Sequence, residues 1–348
     1  MRTLIATRPL RAVVLLLAGA LAATAFYQAV APSPRPPSEV LPAGALLVLE
    51  ARDFSSLLAT WKGSKEKELW LAGDSYKVFS RSRLFLRLEE ALNEFAAAGG
   101  FPADMALVET AAGGASALAL YDIGNLEFLY VTHLPAARAA ETAFWNSRAQ
   151  FEPRSNAGFD YFVRASEDKK RVIAFASTGD FLLVATREDL LASALALLAG
   201  QQGPDVRREP WYTQAVAAAG EAGDLRLVMD LHNLARTPHF RSYWVQGNVS
   251  EMGAYRAGVA DLFRSAGEFR EERVLLAAAA ASTADNTTDV AAASSGDAAL
   301  AGALRLVPYG AGLYRAWASP AVPEVLELLR QKLLSPQAGA SVVSKQAP

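Results

Sequence analysis

The chain has 348 residues, 52% of them hydrophobic, and carries 34 basic and 36 acidic side chains. This apolar content is ample for a buried core and argues against disorder of the whole chain. The balanced charge gives no net field that would attract nucleic acid. There is no cysteine, which excludes disulfides, thiolate nucleophiles, Cys-ligated zinc and a lipidated N-terminal cysteine.

The N-terminal region predicts export from the cytoplasm. A basic flank at residues 1–11 precedes an uncharged stretch at residues 12–31, and twenty helical residues rise about 30 Å, enough to cross a bilayer core. The sequence therefore predicts a single-pass anchor in the cytoplasmic membrane, with the C-terminal bulk of the chain in the periplasm. The alternative is a cleaved signal peptide, with its apolar region at residues 12–21 and a small-residue cleavage site at residues 23–25, which would give a secreted protein.

Composition shifts divide the rest of the chain. Residues 32–40 are rich in proline and predict an extended spacer. The polar segment at residues 201–210 marks an internal boundary, so we expect a first module at 41–205 and a second at 206–334. Residues 335–348 predict a flexible tail.

The first module alternates helices with short apolar runs. The predicted elements, in order, are a strand at 45–51 entering a helix capped by Asp53, a polar linker at 62–68, one long helix over 78–95 that ends at Gly99-Gly100, a helix at 102–111, a hairpin at 116–134, a helix at 136–147, a meander of three strands (159–165, 171–177 and 181–186), and a helix from a Thr186 cap to Gly200.

The second module repeats the order of strand, helices and hairpin. It predicts a helix at 211–219, a strand at 224–231, a short helical region through Trp244, a hairpin on either side of residues 265–267 and a helix at 297–305. A strand-cap-helix segment at 307–329 would close this module as 181–198 closes the first. The fold class predicted is α+β, with antiparallel sheets, packed helices and two related modules after an N-terminal transmembrane helix; one larger α+β domain with an extended sheet is the alternative.

The sequence contains no recognisable catalytic constellation, cofactor motif or metal-binding motif. Ser64 and Lys67 match the Ser-x-x-Lys spacing of penicillin-recognising enzymes, but the companion motifs of those enzymes do not occur. The one acid–histidine grouping is Asp230 and His232, which would share a face if both lay on a strand. This pair gives the hypothesis of a hydrolase, set against the simpler interpretation of a strand end at a helix cap.

One stretch has the composition of a recognition surface. Phe240, Arg241, Tyr243 and Trp244 are residue types enriched in binding hot spots, and they form the candidate interaction surface. The competing interpretation, which the spacing of three and four residues favours, is the buried face of a short helix.

The anchor, the Pro-rich spacer and the opening "LPAGALLVLEARDFSSLL" resemble poorly characterised bacterial membrane-anchored envelope proteins. The likeness covers Leu41 to about Gly200, including "GDFLLVATREDLL". It implies export and an α+β fold, and it brings no catalytic residues. The sequence thus favours a non-enzymatic envelope protein, held to the membrane by residues 12–31, whose exported part binds an envelope protein or lipid. The alternatives are a carrier of an apolar ligand such as lipid, and the hydrolase.

Overall fold

The α+β class is confirmed by a computed structural model, which describes residues 35–166, 171–243, 254–265 and 268–278. The side chains of residues 241–243 and 268 also lie outside the description. The predicted anchor at 12–31, the helix at 297–305, the closing segment at 307–329 and the tail at 335–348 lie outside the described residues.

Ten strands form one antiparallel sheet in the order β10-β9-β8-β1-β2-β3-β7-β6-β5-β4. The strands are β1 (Leu47–Ala51), β2 (Ser116–Asp122), β3 (Glu127–His133), β4 (Glu152–Asn156), β5 (Phe159–Ala165), β6 (Val172–Thr178), β7 (Phe181–Ala185), β8 (Leu225–Met229), β9 (Tyr255–Ser265) and β10 (Glu268–Ala277).

Helices lie before, between and after these strands. The α-helices are α1 (Phe54–Lys62), α2 (Lys65–Ala72), α3 (Asp74–Phe79), α4 (Arg83–Gly99), α5 (Met105–Ala111), α6 (Ala136–Ala139), α7 (Ala143–Ser147), α8 (Glu188–Leu198), α9 (Pro210–Ala218), α10 (Leu231–Leu234) and α11 (Pro238–Tyr243), and 3-10 turns occupy Pro37–Val40, Arg148–Gln150 and Val206–Arg208.

The first strands of the two predicted modules are neighbours in this sheet. β1 and β8 pair antiparallel with Leu49 opposite Leu227. Each is followed by helices and then by a hairpin, β2–β3 or β9–β10, whose first strand returns to pair with it. The order of strand, helices and hairpin therefore occurs twice within one continuous sheet, with three strands on one side of the β8–β1 junction and seven on the other.

Alternating side chains of the central strands enter two cores. On one face Val131, Leu183 and Ala185 pack with α8 and α9. On the other face Phe175 and Val184 pack with the end of α4 and with α5 to α7. All five residues of β7 are buried because helices cover both of its faces.

Several local signals act as the sequence predicts. The Asp53 carboxylate accepts a hydrogen bond from Ser56 N and begins α1. Gly100 and Gly200 have positive φ values of 74° and 80° where α4 and α8 end.

Four local predictions are wrong. The long helix breaks into α3 and α4 because Ser82 caps a new helix start, and the helix at 136–147 breaks at the Thr142 cap for the same reason. The polar linker contains α2, which Ser64 begins by accepting from Lys67 N. Thr186 does not cap α8, since its hydroxyl accepts from Phe128 N at 2.8 Å and so extends the sheet instead.

The Pro-rich spacer is shorter than predicted. Pro37–Val40 forms a 3-10 turn in which Pro37 and Val40 are buried, and Leu41 is also fully buried. The apolar side chains at the end of the stretch draw it into the core beside α8 and α9. What is left between the predicted anchor and the folded part is a few residues.

A buried ion pair ties β8 to β9. Arg226 lies opposite Asp261 in the ladder, and its guanidinium donates two hydrogen bonds of 2.8 Å to the carboxylate. Their side chains are only 7% and 4% exposed. Gly223 N donates a third hydrogen bond to Asp261.

We expect Asp261→Ala to lower the free energy of unfolding by about 3–5 kcal/mol, because it leaves the Arg226 guanidinium buried without its partner. Glu271→Ala is the matched control, since it breaks an exposed pair with Arg273 on β10, where about 0–1 kcal/mol is expected. Equilibrium urea unfolding measures both. Equal losses in the two variants would contradict the assignment.

The same pair predicts a pH dependence. Burial opposes ionisation of Asp261, but the hydrogen bonds from Arg226 and Gly223 outweigh it and hold the pKa below its ordinary value of 3.8. The carboxylate therefore contributes stability above that ordinary value, and the contribution is lost as the pH falls through the lowered pKa of the folded state. Urea unfolding should show the advantage of the native chain over Asp261→Asn shrinking on acidification; a constant difference would contradict this.

Candidate functional site

A cavity of about 500 Å³ lies between the sheet and the helices α1, α4 and α5. Its floor consists of side chains from six neighbouring strands, β8, β1, β2, β3, β7 and β6, and its roof comes from α1, α4 and α5, with Phe144 of α7. The lining residues on which the following argument rests are Leu47, Leu49, Phe54, Leu88, Ala91, Leu92, Phe95, Leu107, Ser116, Leu118, Leu120, Phe128, Tyr130, Arg171, Thr186 and Leu225.

The cavity exists because one face of β1 and β2 is only partly covered. On the α8–α9 face, Val48 and Ala119 are fully buried. On the cavity face, Leu49 and Leu118 pair across the ladder, yet both are only half-buried. Large apolar side chains thus line a space that the helices above them do not fill.

The polar side chains in the wall already have partners within the protein. Ser116 Oγ lies 2.6 Å from Thr132 Oγ1, and the Tyr130 hydroxyl donates to Ala111 O at 3.2 Å. Burial raises the pKa of Tyr130, which keeps this hydroxyl protonated as a donor. Thr186 is engaged with β3.

Arg171 is the one ionised side chain in the wall. Its Nε donates to Glu94 Oε2 of α4 at 3.0 Å, and its Nη1 donates to Asn125 O in the β2–β3 turn. The charge is thereby neutralised by a carboxylate at one end of the cavity. Together these contacts leave the wall few polar groups with which to hold a polar ligand.

The size of the cavity decides what can fill it. Leu49 and Leu118 are only half-buried, so the space is open to solvent and, without a ligand, its apolar wall faces water. Water would find few hydrogen-bonding partners on such walls. An apolar molecule matches both the volume and the chemistry, since ligand cavities are typically about 300–1,000 Å³ and mainly apolar.

The cavity is long as well as wide. Its floor runs from Leu225 on β8 to Ile173 on β6, which is five interstrand steps of about 4.8 Å, or roughly 24 Å in all. The acyl chains of one bilayer leaflet span about 15 Å. The floor can therefore accommodate an extended acyl chain along the direction across the strands.

The acid–histidine pair is not arranged for catalysis. The strand ends at Met229, and Asp230 begins α10 by accepting hydrogen bonds from Asn233 N at 3.0 Å and Asn233 Nδ2 at 2.7 Å. His232 lies on that helix with its side chain exposed. The expectation that both residues share a strand face is wrong because the helix starts one residue before His232.

Other candidate residues also have structural roles. His133 Nε2 lies 2.8 Å from Arg35 O, and the Ser64 hydroxyl is the cap that starts α2. Within the described ranges, no three His, Cys, Asp or Glu side chains are grouped so that they could hold a metal ion.

The candidate interaction surface divides into two parts. Phe240 is 5% exposed and packs with Ile123, Leu231 and Leu234 in a small core cluster, as the helical-core interpretation expects. The side chains of Arg241, Tyr243 and Trp244 lie outside the described residues, so their part in recognition stays a prediction.

The sequence contains only a general signal for the cavity. Both faces of β1 and β2 are apolar, which indicates cover on both sides, and the helices are rich in alanine and leucine. That the α4 side would be incompletely filled depends on how far α4 stands from the sheet, and no residue pattern encodes that distance.

No family model matches this chain, and no curated protein matches it. It is similar to solved structures of TP0453. Crystal form III is 13% identical, covering 71% of this chain and 82% of that chain with a TM-score of 0.36; crystal form IV is 14% identical, covering 70% and 81% with a TM-score of 0.35. Likenesses at this level carry no argument about function.

The membrane segment predicted at 12–31 lies outside the described residues. In the part of the chain that the structure describes, no helix combines the length and the hydropathy needed to span a membrane.

The cavity predicts a contrast between two leucine truncations. Leu183 is fully buried on the opposite face, so Leu183→Ala should lower the free energy of unfolding by about 2–5 kcal/mol. Leu118→Ala should cost clearly less, because it enlarges a space that already exists. Urea unfolding of the two variants tests this, and equal losses would mean that the space beside Leu118 is filled by protein.

Proposed function

We propose that this protein is a non-enzymatic envelope protein that binds an apolar ligand of the lipid class in the cavity between the sheet and α1, α4 and α5. The observation that carries the proposal is the cavity wall, which is large, apolar and internally satisfied in its polar groups. The envelope component that the sequence leads us to expect as a partner is, on this proposal, a lipid.

The chemistry of the wall favours an acyl chain over a compact polar ligand. Burying apolar surface contributes about 25 cal/mol per Å², and no charged group of the wall is left to orient a polar molecule, since Arg171 pairs with Glu94. The predicted anchor and the resemblance to envelope proteins support the same proposal, because they would put the protein next to a supply of lipid.

The hydrolase hypothesis has less support. Asp230 directs its carboxylate oxygens to Asn233, and burial of this residue serves the start of α10. A carrier needs no such pair, and neither Asp230 nor His232 lines the cavity.

Filling the cavity should weaken the binding of an apolar ligand. Ala91 lines the roof, so Ala91→Trp introduces a ring into the ligand's space, and we expect the affinity for a fluorescent fatty acid to fall by about tenfold or more, the effect of losing about 1.4 kcal/mol. Titration of the detergent-solubilised full chain, followed by fluorescence, measures the affinity.

Ala137→Trp is the matched control, since Ala137 is exposed on α6 and does not line the cavity. It should bind as the native chain does. Native mass spectrometry of the purified protein gives an independent readout: a lipid bound to the native chain and the Ala137→Trp variant, and lost from Ala91→Trp. Unchanged binding in Ala91→Trp would remove the proposal.

A further inference from the structure

Exposed apolar side chains concentrate on the helices that follow β1. Of the ten large hydrophobic side chains exposed in the described residues, seven lie between Trp61 and Leu88. We call six of them, on α2, α3 and α4, the exposed apolar surface: Leu69, Trp70, Leu71, Val78, Leu86 and Leu88, whose exposed fractions run from 40% to 74%. Scattered exposed leucines need no explanation, but a concentration of this kind marks an interaction site.

These helices are weakly attached to the rest of the fold. No residue of α1, α2 or α3 is buried, and the buried residues of α4 are confined to its last turn. Ring contacts hold α2, α3 and α4 to one another, through Trp70 with Tyr76 and Phe79, and through Phe85 with both. The exposed apolar surface is thus carried by one group of helices with few contacts to the sheet.

The charges of the same segment are balanced. Residues 65–99, which contain α2, α3 and α4, carry six basic and six acidic side chains. Exposed tryptophan and leucine beside lysine and arginine are typical of helices that lie in a membrane interface, where the apolar side chains enter the boundary and the charged ones stay in water.

The exposed apolar surface is continuous with the cavity. Leu88 is 46% exposed, and it also lines the cavity. Its side chain therefore stands where the outside of α4 meets the space beneath it. Leu88 is thus shared by the exposed apolar surface and the wall of the cavity.

We propose that the exposed apolar surface docks on a lipid bilayer, and that the cavity exchanges its ligand with the bilayer at this contact. The second half of this proposal rests on the proposed function, while the docking itself does not. If residues 12–31 form the predicted anchor, only Pro32, Ser33 and Pro34 separate it from Arg35, and four residue steps span at most roughly 14 Å. The folded part then lies within reach of the bilayer.

Site-specific labelling tests the docking in the full chain. The absence of native cysteine makes each introduced cysteine unique, so Leu69→Cys and Val78→Cys can carry an environment-sensitive fluorophore, with Phe269→Cys on β10 as a control at another exposed apolar residue. The labelled chains are reconstituted in vesicles of phosphatidylcholine alone and of phosphatidylcholine mixed with phosphatidylglycerol.

The labels at Leu69 and Val78 should shift to shorter emission wavelengths and be quenched by doxyl-labelled lipid, while the label at Phe269 should do neither. Both kinds of vesicle should show this shift, because residues 65–99 carry no net charge and the docking is carried by apolar side chains. Equal exposure of all three labels to water, or disulfide-linked dimers of the unlabelled Val78→Cys chain in place of lipid contact, would overturn the docking.

Ligand exchange is tested separately. Leu69→Glu combined with Val78→Glu should slow uptake of a fluorescent fatty acid from vesicles by about tenfold or more, yet leave its affinity in detergent unchanged, because neither residue lines the cavity. Phe269→Glu should change neither. Ala91→Trp should lose both affinity and uptake, whereas the double variant should lose uptake alone, and this difference distinguishes failure of the cavity from failure of the docking. Normal uptake by the double variant would overturn exchange at this contact.

Discussion

The pairing of β1 with β8 is the constraint on which the rest of the structure depends. Five residues of each strand form one antiparallel ladder. This ladder joins a group of three strands to a group of seven, and about half of the chain separates Ala51, where β1 ends, from Leu225, where β8 begins. Contacts across so large a sequence separation are slow to form because loop closure opposes them. Once formed, they align β2–β3 and β9–β10 on opposite sides of the junction and give one floor wide enough for the cavity.

Helices cover the two faces of that sheet to different extents. One face is covered by α8 and α9, which bury the side chains opposite them. The other meets α4, which packs through the aromatic cluster of Phe95, Phe101 and Phe144, while Leu49 and Leu118 stay only half-buried. Because the buried residues of α4 are confined to its last turn, the leucines of β1 and β2 are left partly uncovered, and the cavity lies between them and the helix.

The sequence predicts the elements better than it predicts their assembly. Alternating apolar runs and turn residues identified nine of the ten strands, because strand periodicity and Gly or Asp turns are local signals. β4 was missed since Glu152–Asn156 is polar and almost wholly exposed at a sheet edge. Ser82 and Thr142 lie within stretches of apolar residues at helical spacing, so the pattern predicts continuous helices where these residues start new ones. Thr186 precedes an apolar helical stretch, which predicts a cap, but its hydroxyl accepts a hydrogen bond from Phe128 N of β3.

For the candidate site too, the sequence predicts local structure better than the arrangement of residues in space. The polar signals singled out in the sequence, Asp230 with His232 and Ser64 with Lys67, turned out to be helix starts, because Asp and Ser side chains serve that role as readily as chemistry. The cavity has no motif at all. It arises from residues on six strands and four helices that are close in space only, and its walls are the ordinary leucines, alanines and aromatic residues of a core.

The first described residues have a mechanical consequence. Arg35 Nη1 donates to Leu198 O at the end of α8, its Nε pairs with Glu39, and its carbonyl oxygen lies 2.8 Å from His133 Nε2 at the end of β3. Glu39 is bound in turn by Arg207. The backbone at Arg35 is therefore held in place by contacts with the folded part. A force applied to the chain before Arg35 would act directly on the end of β3 and the last turn of α8.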